Sequence, residues 1–255
     1  MGTSARSAMA AIVVAASAAM ALPSSASAFT VFFGEDVNNS ESTPLASFPN
    51  AAAAEAAFQS NLFGVGTEDF EGFSSGTGNP LALVFPGAGT ATLSGGGGAI
   101  ASVTPGNTNG FGRYATSGSN FWEVDAGSAG DFTVDFSAPV AAFGFYGVDI
   151  GDFGGQLQLQ LNDPANTLLT VNNTIGSNAS TGGSVFFYGI IVENAGEQFS
   201  KIQFETSTGQ GDVFAFDDMT VGSLQQAAVP VPAAGVLAAA GFGMLALMGR
   251  RRNKA

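Results

Sequence analysis

The chain has 255 residues, of which 45% are hydrophobic, and this is enough for one domain of β-sandwich size with additional terminal segments. It contains no Cys and no His, which excludes a disulfide framework, a thiolate nucleophile and the commonest general base and zinc ligand. All 20 acidic residues lie between Glu35 and Asp218, where Arg113 and Lys201 are the only basic residues, so this region has a net charge of −18. Such a charge argues against a nucleic-acid partner, because phosphate binding requires a basic face.

The N-terminus has the composition of a secretory signal. Arg6 supplies a positive charge, residues 8–22 form an uncharged and largely apolar run, and Ala26 and Ala28 give the small-x-small pattern of a cleavage site. We therefore predict a signal peptide over residues 1–28 and a mature chain that begins at Phe29. The alternative is an uncleaved anchor, which is disfavoured because a membrane-spanning helix needs ~20 residues.

Residues 29–224 are predicted to form one exported all-β domain, because short apolar runs are separated by Gly, Asn and Ser. Residues 156–161 alternate glutamine with leucine, and residues 132–136 and 201–205 also alternate apolar with polar side chains. This period of two is typical of strands with one buried face. Residues 185–192 are apolar on both faces, which is typical of a strand covered on each side. These patterns predict an antiparallel β-sandwich.

One short helix is predicted near the start of this domain. Asn50 can cap a helix that runs from Ala51 to Leu62, with an apolar stripe that includes Phe58. Gly64 is expected to end it, since glycine disfavours helix continuation.

The last strand contains a change of phase. Phe214 and Phe216 share one face, whereas Met219 and Val221 are also apolar but have the opposite parity. A period of two cannot bury both pairs without an extra residue between them. We therefore predict a β-bulge at Asp217 and Asp218, and bulges often lie beside functional sites.

An early strand predicted from Glu68 to Phe73 offers partners for this bulge in Glu68, Asp69 and Glu71. The first and last strands of sandwiches commonly pair, which would bring Asp69 or Glu71 near Asp217 or Asp218. Because Ca²⁺ binds six to eight oxygen ligands, we hypothesise a structural Ca²⁺ held by Asp69, Glu71, Asp217 and Asp218, and no other cofactor. The alternative is a set of solvated carboxylates on an acidic surface.

A further pair of carboxylates, Asp149 and Asp152, precedes Gly154 and Gly155. This composition is typical of a turn that joins two strands. The alternative is a second loop of oxygen ligands.

The single tryptophan, Trp122, is a candidate for glycan contact. Its indole ring could stack on a sugar, as aromatic side chains with a polar rim do in polymer-binding sandwiches. The alternative is a core position, because Phe121 to Val124 resembles a strand and tryptophan is usually well buried.

Catalysis is not predicted. Glycosidases use two carboxylates roughly 5–10 Å apart, but among 20 acidic residues some pair is always available. No Gly-x-Ser-x-Gly motif sits at a predicted strand-to-helix turn, which is the position that a nucleophile elbow requires. We therefore assign no catalytic residue.

The C-terminus has three parts. Residues 225–232 form a linker with a proline motif, residues 233–249 form an uncharged apolar run, and residues 250–255 form a basic tail. The run is predicted to be a transmembrane helix, with Arg250, Arg251 and Arg252 as a cytoplasmic stop. The alternative is a buried core helix, which three consecutive arginines disfavour.

This order of motif, apolar span and arginine cluster, together with a signal peptide, resembles the PEP-CTERM proteins, the presumed substrates of exosortases. The motif residues are Val229, Pro230, Val231, Pro232 and Ala233. The family motif has Glu where this chain has Val231. The resemblance implies export, transient anchoring in the inner membrane, cleavage by an exosortase-type sorting protease, and delivery to the cell surface or the extracellular polymer.

Three phrases of the outer domain also resemble domains that often accompany this sorting signal, namely residues 67–73, 151–155 and 214–219. That resemblance implies a jelly-roll-like sandwich and no particular activity. The sequence thus predicts an exported cell-envelope or extracellular-matrix protein with a structural or adhesive role. The alternative is an exopolysaccharide-binding module on the same scaffold, and a glycan hydrolase is a more distant one.

Overall fold

The structure, a computed structural model, describes residues 29–127, 132–209 and 211–224. The signal peptide predicted at 1–28, the linker at 225–232, the transmembrane helix at 233–249 and the tail at 250–255 lie outside the described residues. Within the described part of the chain, no helix is both long and apolar enough to cross a bilayer.

The described residues form thirteen strands and two α-helices. In chain order the strands are β1 (Phe29–Asp36), β2 (Leu62–Glu68), β3 (Leu81–Phe85), β4 (Gly89–Ser94), β5 (Ala99–Ser102), β6 (Asn120–Asp125), β7 (Phe132–Val140), β8 (Ala142–Val148), β9 (Leu157–Leu161), β10 (Leu168–Thr170), β11 (Val185–Val192), β12 (Phe199–Thr206) and β13 (Val213–Leu224). The helices are α1 (Pro49–Gln59) and α2 (Asn178–Thr181), and residues Ala195–Glu197 form one 3-10 turn.

The strands form two antiparallel sheets. The first has the order β1-β11-β8-β13-β6-β5, with β2 paired to the C-terminal half of β13, and the second has the order β10-β9-β12-β7-β4-β3. The facing side chains of both sheets form the main core, where Phe132, Phe145, Phe204 and Phe216 pack with ring centroids 4.8–5.5 Å apart. The predicted all-β antiparallel sandwich is confirmed.

The burial of each strand follows its sequence pattern. In β9 the three leucines are buried and the two glutamines between them are half-buried. Every residue of β11 is buried, because Phe186 and Ile190 face the main core while Phe187 and Ile191 face a second cluster beneath α1. The continuous apolar run of β11 therefore reflects burial on both faces, against the second sheet on one face and against α1 on the other.

Helix α1 is present but its limits differ from the prediction. Asn50 is not the cap: the carboxylate of Asp36, at the end of β1, accepts the backbone N–H groups of Asn50 (3.0 Å) and Ala51 (2.9 Å). A carboxylate at a helix N-terminus satisfies donors that lack an intrahelical partner. The helix ends at Gln59 rather than Leu62, because Leu62 pairs with Leu224 in the first sheet.

Candidate functional site

The predicted β-bulge is present in β13. Asp217 lies opposite Tyr146 of β8, whereas Thr220 lies opposite Gly144, so β13 has one extra residue between these pairs. Asp218 takes a positive φ of 45° within this irregularity. The extra residue restores the phase, and the apolar side chains on both sides of it face the main core.

The pairing of β2 with β13 brings the two acidic segments together. Glu68 at the end of β2 lies opposite Met219, and the turn that follows carries Asp69 and Glu71 towards the bulge. The charges of Asp69 and Glu71 contribute to a raised pKa of Asp218, after burial, which is the largest cause. The structure thus assembles the four predicted carboxylates, Asp69, Glu71, Asp217 and Asp218, which we call the bulge site.

The carboxylates of the bulge site hold the loop that precedes β6. Asp217 is fully buried, and its Oδ2 accepts the backbone N–H of Thr116 (2.7 Å) and of Ser117 (3.2 Å). Asp218 accepts the hydroxyl groups of Thr116 (2.9 Å) and Ser117 (2.8 Å). These contacts join residues about 100 positions apart in the chain.

Glu71 holds the next part of the same loop. Its Oε1 accepts the N–H groups of Ser119 (2.7 Å) and Asn120 (2.6 Å). Gly118 lies between Ser117 and Ser119 in the chain. It has a positive φ of 58°, and a Cβ at this position would overlap the carboxylate of Glu71. The loop therefore needs glycine at this position for two separate reasons, its backbone conformation and its closeness to Glu71.

These hydrogen bonds define what the bulge site does in the described structure. Asp217 also accepts the N–H of Asp218 through Oδ1 (2.8 Å), so both of its oxygens have protein donors. Within the described ranges no group of three or more acidic side chains is arranged to hold a metal ion. Through these hydrogen bonds the bulge site joins β13, the turn after β2 and the loop before β6. The Ca²⁺ hypothesis for the same carboxylates stays a prediction.

Trp122 lies in the core. Its side chain is fully buried, packs 6.4 Å from the ring of Phe132, and covers the backbone of Gly98 so closely that a Cβ there would overlap it. A glycan on the protein surface does not reach this ring. Of the two interpretations of Trp122, the core position within a strand that includes Phe121 to Val124 is the one that the structure shows.

A second polar region lies at the end of the sandwich where β13 begins. The sequence offered Asp149 and Asp152 of this region as an alternative loop of oxygen ligands, but it did not point to Phe111 or Arg113. Arg113 is the centre of the region. Nε donates to Glu123 (2.8 Å), Nη1 donates to the carbonyl of Val213 (3.1 Å), and Nη1 lies 3.7 Å from Asp149. The side chain is only 14% exposed, so the charge of Arg113 is matched by acidic neighbours and is not displayed to solvent.

Beside Arg113, the ring of Phe111 projects into solvent. It is 63% exposed, and the guanidinium carbon of Arg113 lies 5.5 Å from its centroid, within the range of a cation–π contact. The turn that carries Phe111 is fixed on both sides. Asn109 Oδ1 accepts the N–H of Phe111 (3.0 Å), and the carbonyl of Glu41 accepts the N–H of Gly112 (2.8 Å) and the hydroxyl of Thr108.

Two carboxylates, those of Glu123 and Asp149, lie against Arg113. Asp149 is 3% exposed and accepts the N–H of Gly183 (2.7 Å). Burial raises the pKa of Asp149 to about 6, against the opposing effects of the Gly183 N–H and Arg113. Asp149 has a positive φ of 65° and begins the turn from β8 to β9, so the turn interpretation of this segment describes its backbone.

The carboxyl groups of Asp152, in the β8–β9 connection, and Asp212, in the β12–β13 connection, are neighbours that affect each other's ionisation. Burial, followed by the contact with Asp212, raises the pKa of Asp152 to about 8. Two carboxyl groups in contact cannot both ionise without a proton or a cation between them. We refer to Phe111, Arg113, Asp149, Asp152 and Asp212 as the Phe111 site.

A signal for the Phe111 site does exist in the sequence. Phe111 is a large apolar residue between two glycines in a polar loop, and Arg113 is one of only two basic residues among the 20 acidic ones of the domain. The carboxylates come from connections more than 30 residues apart, so their convergence depends on the fold.

No family model matches the chain, and no curated protein is similar to it. Solved structures with some likeness include the K2 cleaved adhesin domain of Lys-gingipain, with 16% identity, a TM-score of 0.37, and coverage of 62% of this chain and 98% of that one. The K1 cleaved adhesin domain of Lys-gingipain from Porphyromonas gingivalis W83 has 12% identity and a TM-score of 0.33, with coverage of 62% of this chain and 98% of that one. A family 11 carbohydrate-binding module from Clostridium thermocellum, in complex with a β-1,3-1,4-mixed-linked tetrasaccharide, has 14% identity and a TM-score of 0.31, with coverage of 63% of this chain and 97% of that one. At these TM-scores the superpositions establish no functional relationship, and function has to be judged from the residues of this chain.

Proposed function

We propose that this protein is exported to the cell envelope and that its sandwich binds polysaccharide there, which gives it an adhesive or structural role in the extracellular matrix. The signal-like residues 1–28 support export. The proline motif, apolar run and terminal arginines, which resemble the PEP-CTERM signal, support anchoring in the inner membrane and processing by an exosortase-type protease.

The exposed ring of Phe111 is the observation that carries the binding proposal. Burying a large aromatic side chain is favourable, so an aromatic ring left 63% exposed is informative when a folded loop holds it there. One face of a pyranose ring consists mainly of C–H groups and can cover such a ring. Asp212 belongs to the same end, since the carbonyl of the adjacent Val213 accepts a hydrogen bond from Arg113, and its carboxylate can accept hydrogen bonds from sugar hydroxyl groups.

The fixed geometry of the turn also favours binding. Phe111 and Gly112 are both tied by backbone hydrogen bonds, and Arg113 is held by three partners. A ligand that binds to ordered groups loses less conformational entropy than one that must order them. The Phe111 site is therefore a small, preorganised platform of one apolar ring with polar groups at its rim.

The proposal is binding without catalysis. Glycosidases need two carboxyl groups roughly 5–10 Å apart, with the scissile bond between them. Asp149 does not offer a surface carboxyl group for this role, because it is 3% exposed and its carboxylate accepts the N–H of Gly183 and lies 3.7 Å from Arg113. A reducing-sugar assay on any glycan that binds tests this part, and release of sugar by the purified protein would contradict it.

Binding is tested with the full-length protein, purified in detergent, on an array of bacterial and plant polysaccharides. We expect at least one polysaccharide to bind, and we expect Phe111→Ala to abolish that binding. The matched control is Phe63→Ala, because Phe63 is 57% exposed and lies in β2 near the other end of β13. Binding to no polysaccharide, or equal loss in both variants, would show that the proposal is wrong.

A further inference from the structure

We propose that the end of the sandwich at which β13 finishes lies against the bilayer while the chain is anchored, and that the ring of Phe63 enters the bilayer interface there. This inference rests on the anchoring part of the proposed function, and it adds an interaction surface and its partner, a phospholipid bilayer. It follows from the place where β13 ends, from the exposure of Phe63, and from the distribution of charge.

The chain leaves the sandwich beside β2 and the β3–β4 hairpin. Leu224 is the last residue that the structure describes, and the residue before it, Ser223, lies opposite Phe63 of β2. The hairpin reaches the same place, since a Cβ on Gly64 would lie 3.9 Å from the carbonyl oxygen of Gly87. We call this region the exit end, and it consists of residues 62–64, 86–88 and 222–224.

The length of the linker decides which end of the sandwich faces the bilayer. Only residues 225–232 separate β13 from the apolar run at 233–249. A fully extended chain spans at most about 3.6 Å per residue, so these eight residues bridge roughly 29 Å. At about 3.3 Å per residue the strand β13 is itself longer, roughly 36 Å from its first to its last residue. An anchored molecule therefore cannot invert and place the start of β13 on the bilayer, whereas the exit end is always within reach of it.

Phe63 gives the exit end an apolar contact. Its side chain is 57% exposed, whereas the preceding Leu62 is buried. A shallow pocket opens at the same end, with Ala88 of the hairpin and Val221 of β13 in its wall, and none of its lining residues is charged. Moving apolar surface from water into a bilayer interface is favourable, and Phe is among the residues that membrane-surface segments bury there.

The distribution of charge favours the same orientation, because a bilayer that contains anionic lipid repels carboxylates. The exit end contains no charged residue. At the opposite end, Asp125 pairs with the first residue of β13, Asp212 precedes that residue, and Asp149 lies 3.7 Å from Arg113. On the exit side, Glu193 and Glu197 follow β11, which is two strands away from β13 in the first sheet.

Tethering explains why one aromatic ring is sufficient. A single small apolar group holds a free protein on a bilayer only weakly and reversibly. An anchor joined by a short linker makes the second contact intramolecular and raises its effective concentration. The contact of Phe63 with lipid therefore forms in the anchored chain, although it is too weak to hold a free domain.

The test uses the absence of Cys from the chain, which allows one fluorescent label to be attached at a chosen position. Full-length Phe63→Cys is labelled and reconstituted into vesicles of phosphatidylethanolamine and phosphatidylglycerol, with or without lipids that carry a quencher near the headgroup. The matched control is Ile175→Cys, because Ile175 is 52% exposed and the next residue, Gly176, donates its N–H to Gly151 in the turn after β8. We expect quenching at position 63 to be several-fold stronger than at position 175.

A second pair of variants tests the ring itself, since a label at position 63 replaces it. Pro86 is exposed at the exit end, so labelled Pro86→Cys reports the distance to lipid with Phe63 intact. We expect the quenching of this label to fall several-fold when Phe63→Ser is added and to stay the same when Ile175→Ser is added. The emission of Trp122 serves as a check that each variant is folded.

Every result supports or overturns a named part of the inference. Equal quenching at positions 63 and 175, or stronger quenching at 175, overturns the orientation and leaves anchoring intact. Undiminished quenching at position 86 after Phe63→Ser overturns the role of the ring. Failure of the full-length protein to float with vesicles on a density gradient overturns the proposed anchoring itself, and the inference with it.

Discussion

The buried carboxyl group of Asp149 gives a prediction that can be worked through quantitatively. Burial raises its pKa from an ordinary value of 3.8 to about 6. The folded protein therefore binds this proton more tightly than the unfolded chain does. The resulting stabilisation is complete below about pH 4 and is lost as the pH rises through the folded pKa near 6.

The magnitude follows from the size of the change in pKa. At about 1.36 kcal/mol per pKa unit, a change from 3.8 to about 6 corresponds to about 3 kcal/mol at most. Asn resembles the protonated acid in shape and also tolerates positive φ, which Asp149 requires. We therefore expect Asp149→Asn to be more stable than the wild type by up to about 3 kcal/mol at pH 7.5, and equally stable near pH 4.

The assay is urea denaturation of wild type and variant across pH 4–8, followed by tryptophan fluorescence. The difference between the two proteins reports Asp149 together with the smaller change that loss of its charge causes at Asp152, whereas the contribution of Asp217 is common to both. Asp135→Asn is the control, since Asp135 pairs with Lys201 at 3.5 Å on an exposed surface, where ion pairs contribute about 0–1 kcal/mol. If Asp149→Asn were less stable than the wild type at pH 7.5, the assignment of burial as the dominant cause would be refuted.

The other predictions concern the bulge site and the core. Gly118→Ala is expected to lower the free energy of unfolding by about 1–3 kcal/mol, because residue 118 has a positive φ and a Cβ there would overlap Glu71. The control is Gly72→Ala, which should change the free energy of unfolding little because a Cβ there meets open space. If chemical denaturation showed similar losses of stability in both variants, the proposed role of Gly118 in the loop would be contradicted. Trp122 should emit in the blue, resist aqueous quenchers and stay unchanged when polysaccharide is added, since it is fully buried; a red emission that shifts with polysaccharide would contradict this placement. If the Ca²⁺ hypothesis for the bulge site is correct, the melting temperature rises on addition of Ca²⁺ and falls with chelator, and absence of both shifts would remove it.

Local patterns in the sequence determine much of the fold. The alternation in β9 predicts one buried face and the continuous run in β11 predicts two, because side-chain period and burial are set by adjacent residues. The bulge in β13 was also predictable, since two apolar pairs of opposite parity cannot otherwise share one core. Helix α1 was located by its composition, but its cap was not, because Asp36 reaches it from another strand.

The functional sites divide in the same way. Asp69, Glu71, Asp217 and Asp218 could be grouped from sequence because an early strand was expected to pair with the last one. The strand that does so is β2, which ends at Glu68 instead of continuing to Phe73, whereas the first strand, β1, pairs with β11. That the oxygens of Glu71, Asp217 and Asp218 hold the loop at Thr116 to Asn120 depends on contacts roughly 50 to 100 residues apart in the chain. Trp122 was a candidate glycan contact because it is the single tryptophan of the sequence. Whether its ring is exposed depends on tertiary packing, which the sequence pattern does not determine.

The sequence by itself determined the period of the strands, the position of the bulge and the strongly acidic character of the domain, since each depends on composition or on neighbouring residues. The tertiary structure decided which aromatic ring meets solvent and which carboxyl groups share one environment. Exposure and charge proximity depend on how distant segments pack, and here packing buries Trp122, leaves Phe111 exposed, and brings the carboxylates of Glu123 and Asp149 to Arg113.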